Sequence, residues 1–148
     1  MPVLRTEVEV EAPPERVWGV VSDPRNLPQW DRHVFAVRGV PSGGLDVGTS
    51  YTTDIRFMGV TVHVHATVLD LQPEHTARVQ LSGPVEAVVE TTLEAIDGDR
   101  TRLAQRVDYR FAGGPLGLFA AEAVRSLGAV SVLRRGVLAQ KRQAEQAP

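Results

Sequence analysis

Residues 3–11 (VLRTEVEVE) open the chain with alternating apolar and polar positions. Successive side chains of a β-strand point to opposite faces, so alternation of this kind is typical of a strand with one buried face. Thr6, Val8 and Val10 would share the buried face. The polar face would carry Arg5, Glu7, Glu9 and Glu11.

A short helix is predicted next. Ala12-Pro13-Pro14-Glu15 ends the strand, and proline followed by an acidic residue suits the first turn of a helix. The apolar stripe Val17, Val20, Val21 carries this helix to about Ser22, where Asp23-Pro24 ends it. A second short helical turn is predicted over 25–30.

Period-two alternation then returns and predicts six further strands. They fall near 33–40, 50–58, 60–71, 75–82, 85–96 and 100–111. The intervening turns are short, and Asp97-Gly98 is a strong hairpin signal. Connections of this length indicate an antiparallel meander.

From Leu116 to about Ala144 the apolar residues recur every three or four positions, which predicts one long amphipathic helix. Gly128 and Gly136 would weaken it locally or allow close approach of another backbone.

The order of elements predicts an α+β fold. A seven-stranded curved antiparallel sheet with one apolar face must cover that face, and only the C-terminal helix is long enough to do so. If the sheet wraps around this helix, the space between them becomes the interior. A lining of small side chains could leave a cavity there.

Four segments carry a family resemblance: APPERVWGVVSDPRNLPQW, FMGV, TRLAQRVDYRF followed by GGPLG, and the ending LAQKRQAE. They resemble the START-like (SRPBCC, helix-grip) superfamily, in particular its polyketide cyclase/dehydrase and lipid-transport branch. The resemblance implies a deep apolar pocket between sheet and long helix. Some members of this branch cyclise polyketides and others carry lipids or hormones, and no family-wide catalytic motif can be carried over.

Alternation along each strand predicts which side chains face that pocket. The lining would be mainly apolar with a few polar groups, a composition typical of ligand sites. The candidate ligand-binding residues are Tyr51, Thr53, Ile55, Phe57, Val62, Val64, Val79, Val89, Thr91, Gln105, Val107, Tyr109, Phe119, Ala123 and Leu127. The facing of strand 33–40, with His33 and Arg38, stays open because both of its faces are partly apolar.

Composition narrows the functional classes. The 148 residues fit a single domain (1–148), and a net charge of -2 gives no global basic field for nucleic acid. Without cysteine, thiolate catalysis and cysteine-based zinc sites are excluded. No signal peptide or transmembrane-length apolar run is visible, so we expect a cytoplasmic protein without stable membrane insertion. We also expect no cofactor.

His63 and His65, in VTVHVHATV, are two residues apart and share one face of a strand. They could hold a metal ion with a third ligand or act as an acid/base pair. The opposite face carries Val60, Val62, Val64, Ala66 and Val68 and should be the buried one. We therefore predict that both histidines are exposed on the convex side and that no metal is bound.

Three functions remain open from the sequence. The first is binding of a hydrophobic or amphipathic small molecule in the cavity. The second is a polyketide cyclase, aromatase or dehydratase that uses the same cavity, with Tyr109, Gln105 and Tyr51 as hydrogen-bonding or proton-transfer groups. The third uses the basic C-terminal segment, which carries a local charge of +3 after Gly113, on an anionic partner or surface.

Overall fold

The computed structural model describes residues 3–57 and 59–146, without the side chains of Leu127 and Ala129. Seven strands form one antiparallel sheet in the order β1-β7-β6-β5-β4-β3-β2. Their bounds are β1 Val3–Val10, β2 Val34–Arg38, β3 Ser50–Phe57, β4 Val60–Gln72, β5 Thr76–Ser82, β6 Val85–Asp97 and β7 Arg100–Phe111. The predicted α+β helix-grip class is confirmed, although Met58, placed in a strand end and turn by the sequence, lies outside the described residues.

Two short helical segments connect β1 to β2. Helix α1 spans Pro14–Val21, and a 3-10 turn at Pro24–Asn26 leads into α2, Leu27–Trp30. Proline at the start of α1 costs no hydrogen bond, because the first N–H groups of a helix have no partner within it. Val17 and Val20 are buried and attach α1 to the core.

The C-terminal helix is broken, so the prediction of one continuous helix is wrong. Helix α3 spans Gly114–Leu127 and helix α4 spans Ala129–Gln146, and the two are bent by 71°. Gly128 sits between them with φ +76°, a backbone conformation that glycine adopts without steric cost. Its N–H donates to Val124 O (2.9 Å) and closes the last turn of α3.

Three register shifts interrupt the strand pairing, and those in β2 and β4 change which side chains face the pocket. In β2, Phe35 is an extra residue between the pairs Val34–Ile55 and Ala36–Asp54. Val34 and Val37 therefore face the concave side, whereas Ala36 and Arg38 face the convex side. In β4, Leu69 is the extra residue, and the shift turns Leu71 inward opposite Ala77.

The closely packed part of the interior lies at one end of the fold. Strand β1, helix α1 and the C-terminal part of α4 meet there, and Val10, Val17, Leu103, Val137 and Ala144 are fully excluded from solvent. Trp18, Val21, Trp30 and Leu138 pack around this cluster. The part of the concave face over β3–β5 is not filled in this way.

Within the described residues, no single helix is both long and apolar enough to cross a bilayer. The bent pair α3–α4 passes the same test only when its halves are counted together, on length and composition alone.

Candidate functional site

A pocket of about 330 Å³ occupies the unfilled half of the interior. The concave face of β3–β7 forms its floor, and α4 covers it from the other side. The 3-10 turn and α2 close its end with Pro24, Leu27 and Trp30. This volume falls at the small end of the range of roughly 300–1,000 Å³ typical of ligand pockets.

Nine of the predicted ligand-binding residues line this pocket together. They come from five strands and share the inward parity that the alternation assigned to them. These residues are Tyr51, Thr53, Ile55, Val64, Val79, Val89, Thr91, Gln105 and Val107.

Five other predicted residues do not line it. Phe57 instead makes an edge-to-face contact with Phe119, with ring centroids 6.0 Å apart. Tyr109 packs in the same way against Phe111, at 5.7 Å. Val62 and Ala123 are also absent from the pocket wall, and Leu127 lies outside the residues whose side chains the structure describes.

The helical wall of the pocket differs from the predicted one because of the bend at Gly128. Because α3 makes an angle of 71° with α4, Phe119 contacts Phe57 at the end of β3, and neither Phe119 nor Ala123 lines the pocket. Helix α4 covers the pocket with Val132, Leu133, Gly136 and Gln140. Their spacing of one, three and four residues is a helical face, so this stripe was visible in the sequence once the helix was divided correctly.

Other wall residues were missed for local reasons. Leu71 was missed because the bulge at Leu69 reverses the parity of β4 beyond it. Leu27 and Trp30 come from the four-residue helix α2 and Leu45 comes from the loop before β3, and segments this short have no periodicity that reveals the facing of a side chain.

The polar groups of the pocket form one short chain of hydrogen bonds across its wall. Gln105 Nε2 donates to Gln140 Oε1 (3.2 Å) and approaches Thr91 Oγ1 (3.4 Å). Gln140 lines the pocket, and its Nε2 donates no hydrogen bond to a described residue. Because a side-chain amide nitrogen is a hydrogen-bond donor, a ligand oxygen in the pocket is a suitable acceptor for it.

Tyr51 is the second polar feature of the wall. Burial raises the pKa of its phenol to about 12, so the group stays protonated at neutral pH and can donate a hydrogen bond. Asp31 is the one carboxylate among the described lining residues, and none of these residues is Lys, Arg or His. The pocket interior therefore suits an uncharged ligand portion.

The histidine pair lies on the other side of the sheet, as predicted. His63 and His65 are both exposed on the convex face, and the His63 side chain is 56% accessible. His63 Nδ1 donates to Asp54 Oδ1 (2.6 Å), and Thr52 Oγ1 shares a hydrogen bond with His65 Nδ1 (3.1 Å). The described part of the chain contains no group of three or more His, Cys, Asp or Glu side chains placed to hold a metal ion.

Comparisons with known proteins agree on the fold. A family model described as polyketide cyclase/dehydrase and lipid transport matches residues 1–145. A protein from Thermus thermophilus is 18% identical, with a TM-score of 0.75 and 97% of each chain covered. No curated protein sequence matches the chain.

Two other similar structures carry functional names. The Zhui aromatase/cyclase from Streptomyces sp. R1128 is 20% identical with a TM-score of 0.73, covering 97% of this chain and 91% of its own. A START superfamily protein from Mycobacterium smegmatis is 19% identical with a TM-score of 0.62, covering 92% of this chain and 98% of its own. At these identities the likeness concerns the fold.

Proposed function

Because the chain belongs to the polyketide cyclase/dehydrase and lipid transport family, we propose that it binds a hydrophobic or amphipathic small molecule in the pocket between the sheet and α4. The observation that carries this proposal is the pocket itself. Its wall is built mainly from Val, Leu and Ile side chains, with a polar chain at Gln105 and Gln140 that can orient a ligand.

Burial of apolar surface supplies the affinity in this proposal. Removing apolar area from water contributes about 25 cal/mol per Å², so a ligand that fills the pocket is held without any ion pair. The amide of Gln140 and the phenol of Tyr51 add direction, since each donates to a ligand oxygen that would otherwise lose its hydrogen bond to water.

Filling the pocket with a larger side chain should weaken this binding. We expect Val89→Phe, which places a ring inside the pocket, to weaken binding of the neutral fluorescent probe N-phenyl-1-naphthylamine by at least about tenfold, or roughly 1.4 kcal/mol. Val88→Phe is a matched control, because the neighbouring residue makes the same change on the opposite face of β6. Probe fluorescence measures both, and equal binding by the two variants would contradict the proposal.

The cyclase alternative needs a group that moves a proton or polarises a carbonyl. Of its three candidate residues, Tyr51 and Gln105 line the pocket, whereas Tyr109 packs against Phe111 away from it. With its pKa raised to about 12, Tyr51 acts as a hydrogen-bond donor to a carbonyl and not as a base at neutral pH.

The cyclase alternative is therefore tested by measuring cyclisation of a poly-β-ketone substrate by the unmodified protein and by a Tyr51 variant. Under that reading Tyr51→Phe lowers kcat while the affinity for N-phenyl-1-naphthylamine stays the same. Unchanged turnover in this variant would remove Tyr51 from the reaction, and absence of turnover in the unmodified protein would leave binding as the function.

A further inference from the structure

A second cleft, of about 310 Å³, lies directly beside the apolar pocket. The two share Trp30, Asp31 and Val132 as wall residues, so they meet at the end of α2. Their linings differ in chemistry. The pocket wall lacks basic side chains in the described residues, whereas the cleft is lined by Arg32, Arg135 and Arg142.

These three arginines have no carboxylate partner among the described residues. Seven of the other arginines are within 4.0 Å of an acidic side chain, for example Arg38 with Asp54 and Arg110 with Glu86. In the cleft, Arg135 makes one hydrogen bond, from Nε to Ser131 O (3.3 Å), and its terminal nitrogens are left for other acceptors.

Helix α4 places two of the three guanidinium groups on one face. Arg135 and Arg142 are seven residues apart, two helical turns, and Leu138 and Ala139 lie between them on the same stripe. The stripe is adjacent to the one that covers the pocket, which includes Val132 and Gly136. The arginines therefore lie next to the wall at Trp30 that the two cavities share, close to the end of a ligand that leaves the pocket there.

The charge of the cleft indicates what it would hold. Its arginine and aspartate side chains, three arginines and Asp31, carry a net charge of +2. A phosphate monoester carries about −1.5 to −2 at neutral pH and offers several oxygens to the planar donor fork of arginine. The Asp31 carboxylate already has a partner, since its Oδ1 accepts a hydrogen bond from the His33 N–H (2.9 Å).

We propose that this arginine cleft binds the phosphate group of an amphiphile whose apolar body occupies the neighbouring pocket. This inference rests on the proposed function, which accounts for the apolar part of the ligand. It adds the chemical class of the polar part of the ligand, a phosphate group. It divides the ligand between two sites: the pocket removes the hydrocarbon from water, and the cleft neutralises the phosphate outside it.

Three ten-carbon compounds, decyl phosphate, decanol and decanoate, together with inorganic phosphate separate the contribution of the pocket from that of the cleft. We expect decyl phosphate, kept below its critical micelle concentration, to displace N-phenyl-1-naphthylamine at a concentration about tenfold lower than decanol, because charge-assisted hydrogen bonds add to the same apolar burial. Inorganic phosphate alone should bind far more weakly in calorimetry, and an equal affinity would make the cleft a site for free phosphate and overturn the proposal. An equal gain for decanoate would overturn the assignment to phosphate.

The variant Arg135→Gln/Arg142→Gln should lose the gain for decyl phosphate and keep the affinity for decanol, which also reports an intact pocket. Arg106→Gln removes an exposed arginine on the convex face of β7 and should leave both affinities unchanged. If decanol binds but phosphate adds nothing, the arginine cleft is refuted and the proposed function stands. If neither decanol nor the probe binds, the proposed function fails and this inference fails with it.

Discussion

Asp54 connects three strands from the convex side of the sheet. It lies on β3, and its carboxylate accepts hydrogen bonds from Arg38 Nε on β2 (2.7 Å) and His63 Nδ1 on β4 (2.6 Å). The Asp54 side chain is only 8% accessible, although both partners are more than half exposed. These hydrogen bonds, of which the one from Arg38 has the larger effect and the one from His63 the smaller, lower the pKa of Asp54 to about 2.

This lowered pKa should make the stability of the fold depend on pH in acid. An unfolded Asp54 takes up its proton near pH 3.8, whereas in the fold it stays ionised down to about pH 2. Between these values the unfolded state binds more protons, so the free energy of unfolding falls as the pH falls. Urea unfolding at a series of pH values measures the effect.

Two carboxylate variants isolate the contribution of Asp54. Asp54→Asn should be less stable than the unmodified protein at pH 7 and should show a shallower fall in stability below pH 4. Asp46→Asn removes an exposed carboxylate without an ion pair in the described residues and should keep the steeper fall. The same slope in all three proteins would contradict the role given to Asp54.

For individual residues, the sequence predicted which face of the sheet a side chain occupies, but it did not predict the hydrogen-bond partners of that side chain. Strict alternation in VTVHVHATV was enough to place His63 and His65 outside. The contact between His63 and Asp54 depends on the register of β3 against β4, and that of Arg38 depends on the extra residue Phe35 in β2. The extra residue leaves no mark in the amino-acid pattern of 33–40, where both faces are partly apolar, so the pattern did not reveal which face is buried.

Helix α3 differs from the other elements in how little of it is covered. Leu116 and Leu118 are exposed, and α3 makes an angle of 71° with α4 at Gly128. Its first turn depends on Gly117, where an added Cβ would overlap the carbonyl oxygen of Ala112. The GGPLG segment is therefore a place of close backbone packing.

The break at Gly128 gives a prediction with an internal control. A Cβ at Gly128 would find space, its nearest neighbour being Ser131 Oγ at 3.6 Å, but φ +76° is strained for alanine. We expect Gly128→Ala to lower the free energy of unfolding by about 1–2 kcal/mol. Gly19→Ala, in the exposed interior of α1, should raise it by roughly 0.5–1 kcal/mol.

Urea unfolding compares the two glycine variants directly. Opposite signs would confirm that the break is a property of Gly128. If Gly128→Ala were instead stabilising, α3 and α4 would prefer the continuous helix that the periodicity alone predicts. The apolar period of the sequence runs through the break without interruption, which is why only the backbone angle reveals it.

Across the whole molecule, the interior is divided into a packed end and an open end. Val10 belongs to the packed cluster with Leu103 and Val137, and it has no accessible surface. Val107 lines the pocket on the neighbouring strand β7. The order of elements predicted that the sheet and helix enclose an interior. The position of the open end depends on the bend at Gly128 and on residues of the short helix α2 such as Trp30.

The same substitution should therefore cost different amounts at the two ends. Val10→Ala removes two buried carbons from close packing and should lower the free energy of unfolding by about 2 kcal/mol. Val107→Ala enlarges a space that is already present and should cost less than about 1 kcal/mol. Equal losses in urea unfolding would show that the pocket region is packed as closely as the core.

The bulge at Phe35 has a consequence for the protein at high concentration. Strand β2 is one edge of the sheet, and an edge offers unpaired N–H and C=O groups to the strand of a second molecule. Strand β2 has only five residues, one of which is the extra Phe35, and it ends at Arg38. It therefore offers an incoming strand no regular row of N–H and C=O groups to pair with. The irregularity that hides the facing of this strand in the sequence therefore also disfavours pairing of a second molecule at the β2 edge.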